Sequence, residues 1–565
     1  MKQKAKAKLV VYAAVMVSAM AISGCEQNNA ALPEGEPCCD PDFPEFHPSM
    51  TITMSRLPQE SALDKVRISV ALLHRDSPAT EASHYLSLTH SGDLSSTAFV
   101  ETEYGIYESV VTPSRTGEFE VTVTHEAAVP HSKTLHPLVL ADVHEDWGQP
   151  MMVEGLVNTE GYEDGIAISP NGEYLFTQYS PAYFSGLILF NFAREDGGCG
   201  GDRLSPERCT HPWIDNTIGP VSAPERPDFY TTRINEDGTW RHNSVSWGMG
   251  DDTLNLFSVS NVFYGFKRQP DGSYREPFMI AFDDEGDGIS SPFGLSVLPD
   301  FGSSDNYLLA LSFNAPDDTE SVDFDDNGTA DAESLLDIYT LQSALGDPIN
   351  LGNFNYSGTP GTPPQRDSSF GLTKVGFSDV GIEGIAGTQG NPHLYRESST
   401  VSSIWTDDEY DDIYEAPGPG NDHGELSVYV NLTDTYPSSN WQKVVLPAPV
   451  NLADPSQEIQ PFFTGTELYF TRSDDTELPA VWMSKYSGTH TQADFGNTAL
   501  WATPVKVLAA SSDQEVGNII AIGEPTVGTI DGDEVMFFVY GVVRGFDEAS
   551  GLADINMQAG YVRRK

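Results

Sequence analysis

From Thr51 onward, apolar and polar residues alternate in short runs separated by turns, with a period close to two. The runs "KVRISVALLHR", "HYLSLTHSG", "YESVVTPS" and "GEFEVTVTHE" each carry one apolar and one polar face. That is the pattern of half-buried antiparallel strands, and together they predict a small β-sandwich over residues 50–127. From Met152 onward a longer unit recurs at irregular intervals. It is an acid or polar group, a short apolar strand, a Gly- or Pro-bearing turn, and a strand with aromatics. The clearest copies are "YEDGIAISPNGEYLFTQY", "QEIQPFFTGTELYFTRS" and "IGEPTVGTIDGDEVMFFVY". Looser copies are "NSVSWGMGDDTLNLFSVS", "SSPFGLSVLPDFGSSDNYLLALSFN" and "IEGIAGTQGNPHLYRESSTVSSIW". Helical periodicity is nearly absent, and Ala332 to Leu345 is the stretch that reads as a short helix.

A strand–turn–strand unit with spare apolar faces cannot bury itself alone. Repetition around an axis buries each sheet against the next, which makes a β-propeller the expected solution for residues 152–565. Six copies favour six blades, with five or seven also compatible. The endings "SPNGEYLFTQY" and "FTGTELYFTRS" resemble the PD40 (TolB-type, WD40-like) propeller repeat, with Asn171 in place of that repeat's Asp and Thr464-Gly465-Thr466 at the second turn. Asn suits the turn because it tolerates left-handed backbone. The pair "TPSRTGEFEVTVT" resembles the closing hairpin of immunoglobulin-like modules. The expected fold is therefore all-β: an Ig-like sandwich at 50–127, a linker at 128–151, and the propeller.

The N-terminus changes the picture of where such a protein works. Lys2, Lys4, Lys6 and Lys8 precede an apolar run from Leu9 to Ile22, followed by Ser23-Gly24-Cys25. This resembles the lipobox of bacterial lipoproteins, with Ile22 where Leu is usual. The resemblance implies a signal peptide at 1–24, cleavage before Cys25, and a lipid on its thiol that attaches the chain to the bilayer. With Glu26 following, it implies an outer-membrane lipoprotein of the cell envelope. Residues 25–49 read as a tether rich in Pro and acids. In that oxidising compartment Cys199 and Cys209 are the expected disulfide.

The formal net charge is −53, from 83 acidic and 30 basic residues. Such a surface repels nucleic acid and attracts divalent cations. "VDFDDNGTADAES" places Asp323, Asp325, Asn327, Gly328 and Asp331 at positions 1, 3, 5, 6 and 9 of a calcium loop, with the Thr329 carbonyl at position 7. Structural calcium is expected there, with a solvated acidic turn as the alternative.

Glu163, Asp164, Glu383, Glu458 and Glu524 each stand just ahead of a repeat's first strand. In a propeller those positions gather near one end of the axial channel. A ring of carboxylates there could cap strand starts, grip a ligand, or act as the acid and base of glycoside cleavage. Trp247, Trp405, Trp482 and Trp501 are the candidate sugar platforms. There is no G-x-S-x-G, H-E-x-x-H, P-loop or dinucleotide fingerprint, and the histidines are scattered singly. The expected function is a lipid-anchored binding or scaffold module for a glycan, peptide or envelope protein. A glycoside hydrolase-like enzyme is the alternative.

Overall fold

The computed structural model describes residues 48–59, 63–92, 94–158, 162–180, 231–234, 240–243, 262–281, 293–299, 306–313, 337–342, 349–350, 376–379, 388–397, 401–409, 425–433, 440–452, 456–474, 477–511, 517–547 and 552–565. The signal segment, Cys25, the Cys199–Cys209 pair, Glu383, Trp247 and the calcium loop from Asp323 to Asp331 lie outside the described residues. The chain forms two compact units. One comprises residues up to 114 together with 119–135; the other comprises 115–118 and 136–565.

In the first unit, Ser49–Leu57, Lys65–His74, Ile106–Pro113 and Leu94–Ser96 form one antiparallel sheet, with Ser77–Pro78 and Val100–Glu103 paired at its sides. Ser132–Leu135, Val121–His125 and Leu86–His90 form a second sheet. Every second residue is buried: Val66, Ile68, Val70, Leu72 and Tyr107 from one sheet, Val121 and Val123 from the other. The period of two read in the sequence thus becomes the inner faces of a sandwich.

The second unit is a five-bladed propeller among the described residues. Blade 1 consists of Tyr162–Ile168, Tyr174–Ser180, Val262–Arg268 and Tyr274–Ala281. Blade 2 consists of Phe293–Pro299, Asn306–Phe313, Asp337–Gln342 and Gly376–Asp379, with Ile349–Asn350 beside its second strand. Blade 3 consists of Thr388–Arg396, Val401–Glu409, Glu425–Asn431 and Trp441–Val445. Blade 4 runs through Gln457–Phe463, Glu467–Ser473, Ala480–Lys485 and Val505–Ala509, with Asp142–Val143 added outside. Blade 5 runs through Ile519–Ile530, Asp533–Asp547 and Leu552–Arg563, with Met151–Met152 outermost. The first strand of each blade packs against the first strand of the next, and that of blade 5 packs against that of blade 1.

Five blades replace the six favoured from the sequence. Five of the six repeat copies are the inner hairpins of the five blades. The remaining copy, 243–260, precedes Val262–Arg268, which pairs with the second strand of blade 1. The inner strands of blades 1 and 2 touch, and among the described residues no blade stands between them. The expected helix at Ala332 to Leu345 is also corrected, because Asp337–Gln342 is the third strand of blade 2. Its apolar residues are too few to outvote pairing with Asn306–Phe313. The described α-helix is the single turn Gln492–Phe495, capped by the Thr491 side chain.

Residues 128–151, read as a linker, contribute strands to both units. Within the propeller, Leu138, Leu140, Val143 and Trp147 are buried in one core with Tyr469, Met536, Phe538 and Val562. Residues 138–147 are thereby stitched to blades 4 and 5. Arg564 completes the stitch. Its guanidinium binds both oxygens of Glu467, at 2.6 and 2.8 Å, and Glu534 at 2.6 Å, and sits 5.6 Å from the Trp147 ring. The guanidinium's hydrogen bonds hold the Glu467 carboxyl below its ordinary range.

Candidate functional site: the axial ring of bulges

Each inner strand has a register break at which one residue takes left-handed backbone; the inner strands of blades 3 and 5 break register a second time. The left-handed residues are Gly165 (φ 58°), Gly294 (φ 52°), Asn391 (φ 43°), Gln460 (φ 57°) and Glu524 (φ 53°). The extra residue bends the strand and re-aims the following side chains. In three blades the next residue is proline (Pro392, Pro461, Pro525), which costs no ladder bond at a bulge. The five bulges line one axial cavity of about 40 Å³, together with Ile166, Leu295, His393, Phe462 and Thr526.

Hydrogen bonds link the blades around this cavity. Glu524 Oε2 accepts from the Ile166 amide at 3.2 Å, joining blade 5 to blade 1. Glu524 Oε1 accepts from Gln460 Nε2 at 2.9 Å, joining blade 5 to blade 4. Gln460 Oε1 accepts in return from the Glu524 amide at 3.0 Å and from the Thr471 hydroxyl at 2.6 Å. The Gln460 amide donates to Asp407 Oδ2 at 2.6 Å, and Asn391 Nδ2 donates to the same oxygen at 3.1 Å, linking blades 3 and 4. The Leu394 amide donates to Ser296 Oγ at 2.8 Å between blades 3 and 2. Blades 1 and 2 meet where Asn171 Nδ2 donates to the Tyr307 hydroxyl at 3.2 Å.

The acids read from the sequence separate into distinct environments. Asp164 stands close enough to Glu524 for its charge to act on that carboxyl. Burial, and next the negative charge of Asp164, push Glu524 well above the ordinary glutamate range, against the pull of the Ile166 and Gly165 amides. Glu163 and Glu458 each stand two residues before their bulge and are fully buried. Glu163 accepts from Gln558 Nε2 at 3.2 Å. Glu458 Oε1 accepts from Arg472 Nε and from Ser456 Oγ, both at 2.6 Å, while its Oε2 accepts from the Leu452 amide at 3.2 Å. In place of four equivalent acids around a mouth, the described residues give one carboxyl pair at the axis and two acids set back within their blades.

His393, Asp407, Gln460 and Asn391 belong to this site and were not singled out in the sequence. His393 is pushed down to about 4 by burial, so its imidazole is neutral, and its Nε2–H donates to the Phe463 carbonyl at 2.9 Å. The signal available for Asn391 and Gln460 was a polar residue followed by proline inside an apolar strand. Asp407 carried no comparable mark. Trp405 and Trp501 are buried in an aromatic core with Phe463, Tyr486 and Phe495. Trp482 lies between two cations, 5.0 Å from Arg472 and 5.1 Å from Lys506. Among the described residues, no group of three or more His, Cys, Asp or Glu could hold a metal ion. No described helix is long and apolar enough to cross a membrane.

No family model and no curated protein matches the chain. Among solved structures it is similar to the alpha-L-arabinofuranosidase from Lactobacillus brevis, at 13% identity and TM-score 0.29, covering 53% of this chain and 86% of that one. It is similar to Cellvibrio cellulosa alpha-L-arabinanase complexed with arabinohexaose, at 9% identity and TM-score 0.24, covering 52% and 92%. Pseudomonas fluorescens PhoX in complex with vanadate shows 8% identity and TM-score 0.28, covering 94% of this chain and 91% of that one. At these scores the likenesses carry no argument, and the propeller rests on the strand order and the ring contacts above.

Proposed function

We propose that this chain is a lipid-anchored cell-envelope propeller acting as a binding or scaffold module for a glycan, peptide or envelope protein. The observation that supports this reading is the use to which the axial acids are put. Glu524 and Asp407 accept hydrogen bonds that tie blade to blade, around a cavity of about 40 Å³. Glu458 is neutralised by Arg472. Glycoside cleavage needs two carboxyls about 5–10 Å apart with a sugar between them. Glu524 is already engaged by the Ile166 amide and Gln460 Nε2, and Glu458 by Arg472.

One observation favours the hydrolase alternative. Burial pushes Glu524 well above the ordinary glutamate range, the direction a general acid needs. The glycan-active reading therefore remains the second one, with Glu524 as the group to test.

The anchor and the metal belong to the same proposal. Cys25 carries the lipid, and Cys25→Ser should abolish palmitate labelling and release the chain from the membrane fraction; labelling that survives the change removes the anchor. Calcium held by Asp323, Asp325, Asn327, Asp331 and the Thr329 carbonyl should raise the melting temperature. Unchanged melting after chelation removes that role. For the module itself, the purified full-length chain should bind members of a glycan and envelope-peptide panel without releasing products. Absence of binding across such a panel would count against it.

A further inference from the structure

The axial cavity carries hydrogen-bonding capacity that the ring of blades does not use. Three side chains lining it, Ser296, Thr526 and His393, are more than nine-tenths buried, at 4%, 5% and 8% exposure. Each is fixed by a bond to the backbone and keeps a further bonding position. His393 Nε2 lies 2.9 Å from the Phe463 carbonyl, which can only accept, so Nε2 carries the imidazole hydrogen. Nδ1 is thereby left with a bare lone pair. Ser296 Oγ accepts from the Leu394 amide at 2.8 Å, and Thr526 Oγ1 accepts from the Ile168 amide at 3.2 Å. A hydroxyl oxygen has two lone pairs, so each retains one for a further donor. Glu524 lines the same cavity and is half-buried, with one bond to each carboxyl oxygen from Gln460 Nε2 and the Ile166 amide.

This lining discriminates among ligands by charge. Its described residues include no Lys or Arg, which leaves an anion without a counter-charge. Among the described residues no group of three or more His, Cys, Asp or Glu could hold a metal ion. A neutral hydroxyl would satisfy the three polar side chains but bring no charge to Glu524. A primary ammonium brings three N–H donors and one positive charge. Its donors match His393 Nδ1, the hydroxyl oxygens and a carboxyl oxygen, and its charge matches Glu524. Burial pushes Glu524 above the ordinary glutamate range, and a bound cation opposes that shift. Ile166, Leu295 and Phe462 supply apolar wall for an alkyl stem. The net charge of −53 draws cations toward the protein.

We propose that the axial cavity is a binding site for a primary alkylammonium group, with Glu524 as its counter-ion and His393 Nδ1, Ser296 Oγ and Thr526 Oγ1 as acceptors. The inference rests on the reading of the propeller as a binding module and names the chemistry that module recognises. The ammonium is that of a small free amine or of a lysine side chain.

The experiment is calorimetric titration of the full-length chain with n-butylammonium chloride, and with butan-1-ol as its neutral counterpart. Salt at about 0.5 M screens the general attraction of the acidic surface. Butylammonium should bind with saturation and butanol should not. Glu524→Gln should weaken butylammonium binding about tenfold or more, the loss expected for one bond to a charged group. Nα-acetyl-lysine methylamide distinguishes the sources: if it saturates the site, a peptide lysine is the ligand, and if butylammonium alone binds, the ligand is a small free amine. Nitrogen-15 NMR of wild type keeps the question decidable even where Glu524→Gln fails to fold. The His393 Nδ1 resonance should move with butylammonium and stay in place with butanol. Butylammonium binding no tighter than butanol, equal affinity in a folded Glu524→Gln protein, or an unmoved Nδ1 resonance would overturn the site. Where the chain still binds members of the glycan and envelope-peptide panel, that result removes the ammonium site alone. Where it binds none of them, the binding module falls as well.

Discussion

Glu458 offers the sharpest contrast between an acid that holds the fold and an acid that acts on a substrate. Its side chain is 1% exposed and that of Arg472 is 9% exposed, with Nε and Oε1 2.6 Å apart. The change Arg472→Leu removes the cation together with its bonds to the Pro449 and Val450 carbonyls. Glu458 is then left buried with the Ser456 hydroxyl and the Leu452 amide. Removing one partner of a buried pair costs about 3–5 kcal/mol, because the surviving charge is uncompensated. Replacing both partners by apolar residues is far milder, so Arg472→Leu combined with Glu458→Leu should recover most of the loss. Calorimetric melting of the full-length chain reads both variants through the propeller transition. A single variant that melts with wild type would refute the structural role of the pair. So would a double variant no more stable than Arg472→Leu alone.

Other perturbations probe the stitching and the bulges. Gly294→Ala would place Cβ 2.6 Å from Asn391 Cα in left-handed backbone of φ +52°; a loss of about 3 kcal/mol is expected, checked by melting. Arg564→Ala should cost about 2 kcal/mol by releasing Glu467 and Glu534, discounted for the partial exposure of the three groups. Arg564 also depresses Glu467, so the stability gained from that pair is present above the ordinary value of 4.5 and is lost as pH falls toward the lower folded value. Arg564→Ala should therefore flatten the acid limb of a melting-versus-pH curve, and an unchanged limb would contradict the assignment. Gly172→Ala sets Cβ 2.3 Å from Ile530 Cγ1, so the turn after Ser169 should lose its fit against blade 5 and the melting temperature should drop.

Much of the architecture was legible because short apolar strands and Gly- or Pro-bearing turns recur in the inner hairpins, whose described strands are buried almost throughout. "YEDGIAISPNGEYLFTQY" spans the first two strands of blade 1, and its Pro170-Asn171-Gly172 forms the turn that touches blades 2 and 5. The blade number was not legible. A third strand such as Val262–Arg268 looks locally like any other strand, and only tertiary pairing reveals which blade it joins. The site was partly legible for a related reason. The acids ahead of each strand were visible, but a bulge shifts side-chain direction by one residue. Glu524 sits at its bulge, Asp164 one residue before, and Glu163 and Glu458 two before. Nothing in the sequence fixes that register. Gln460 and Asp407, which complete the hydrogen bonds around the axis, come from positions with no acid-before-strand signature. Arg472 was invisible as a partner because its pairing with Glu458 depends on cross-strand register within blade 4.

The central claim is that the axial carboxyls hold the blades together while the propeller binds rather than cuts. It is tested most directly by measuring product release from a panel of polysaccharides with wild type and Glu524→Gln, alongside calorimetric melting of both. We predict no reducing ends above background from either protein, and a changed melting profile for the variant. Release by wild type that vanishes in a Glu524→Gln protein of unaltered melting would contradict the claim and make Glu524 a catalytic acid.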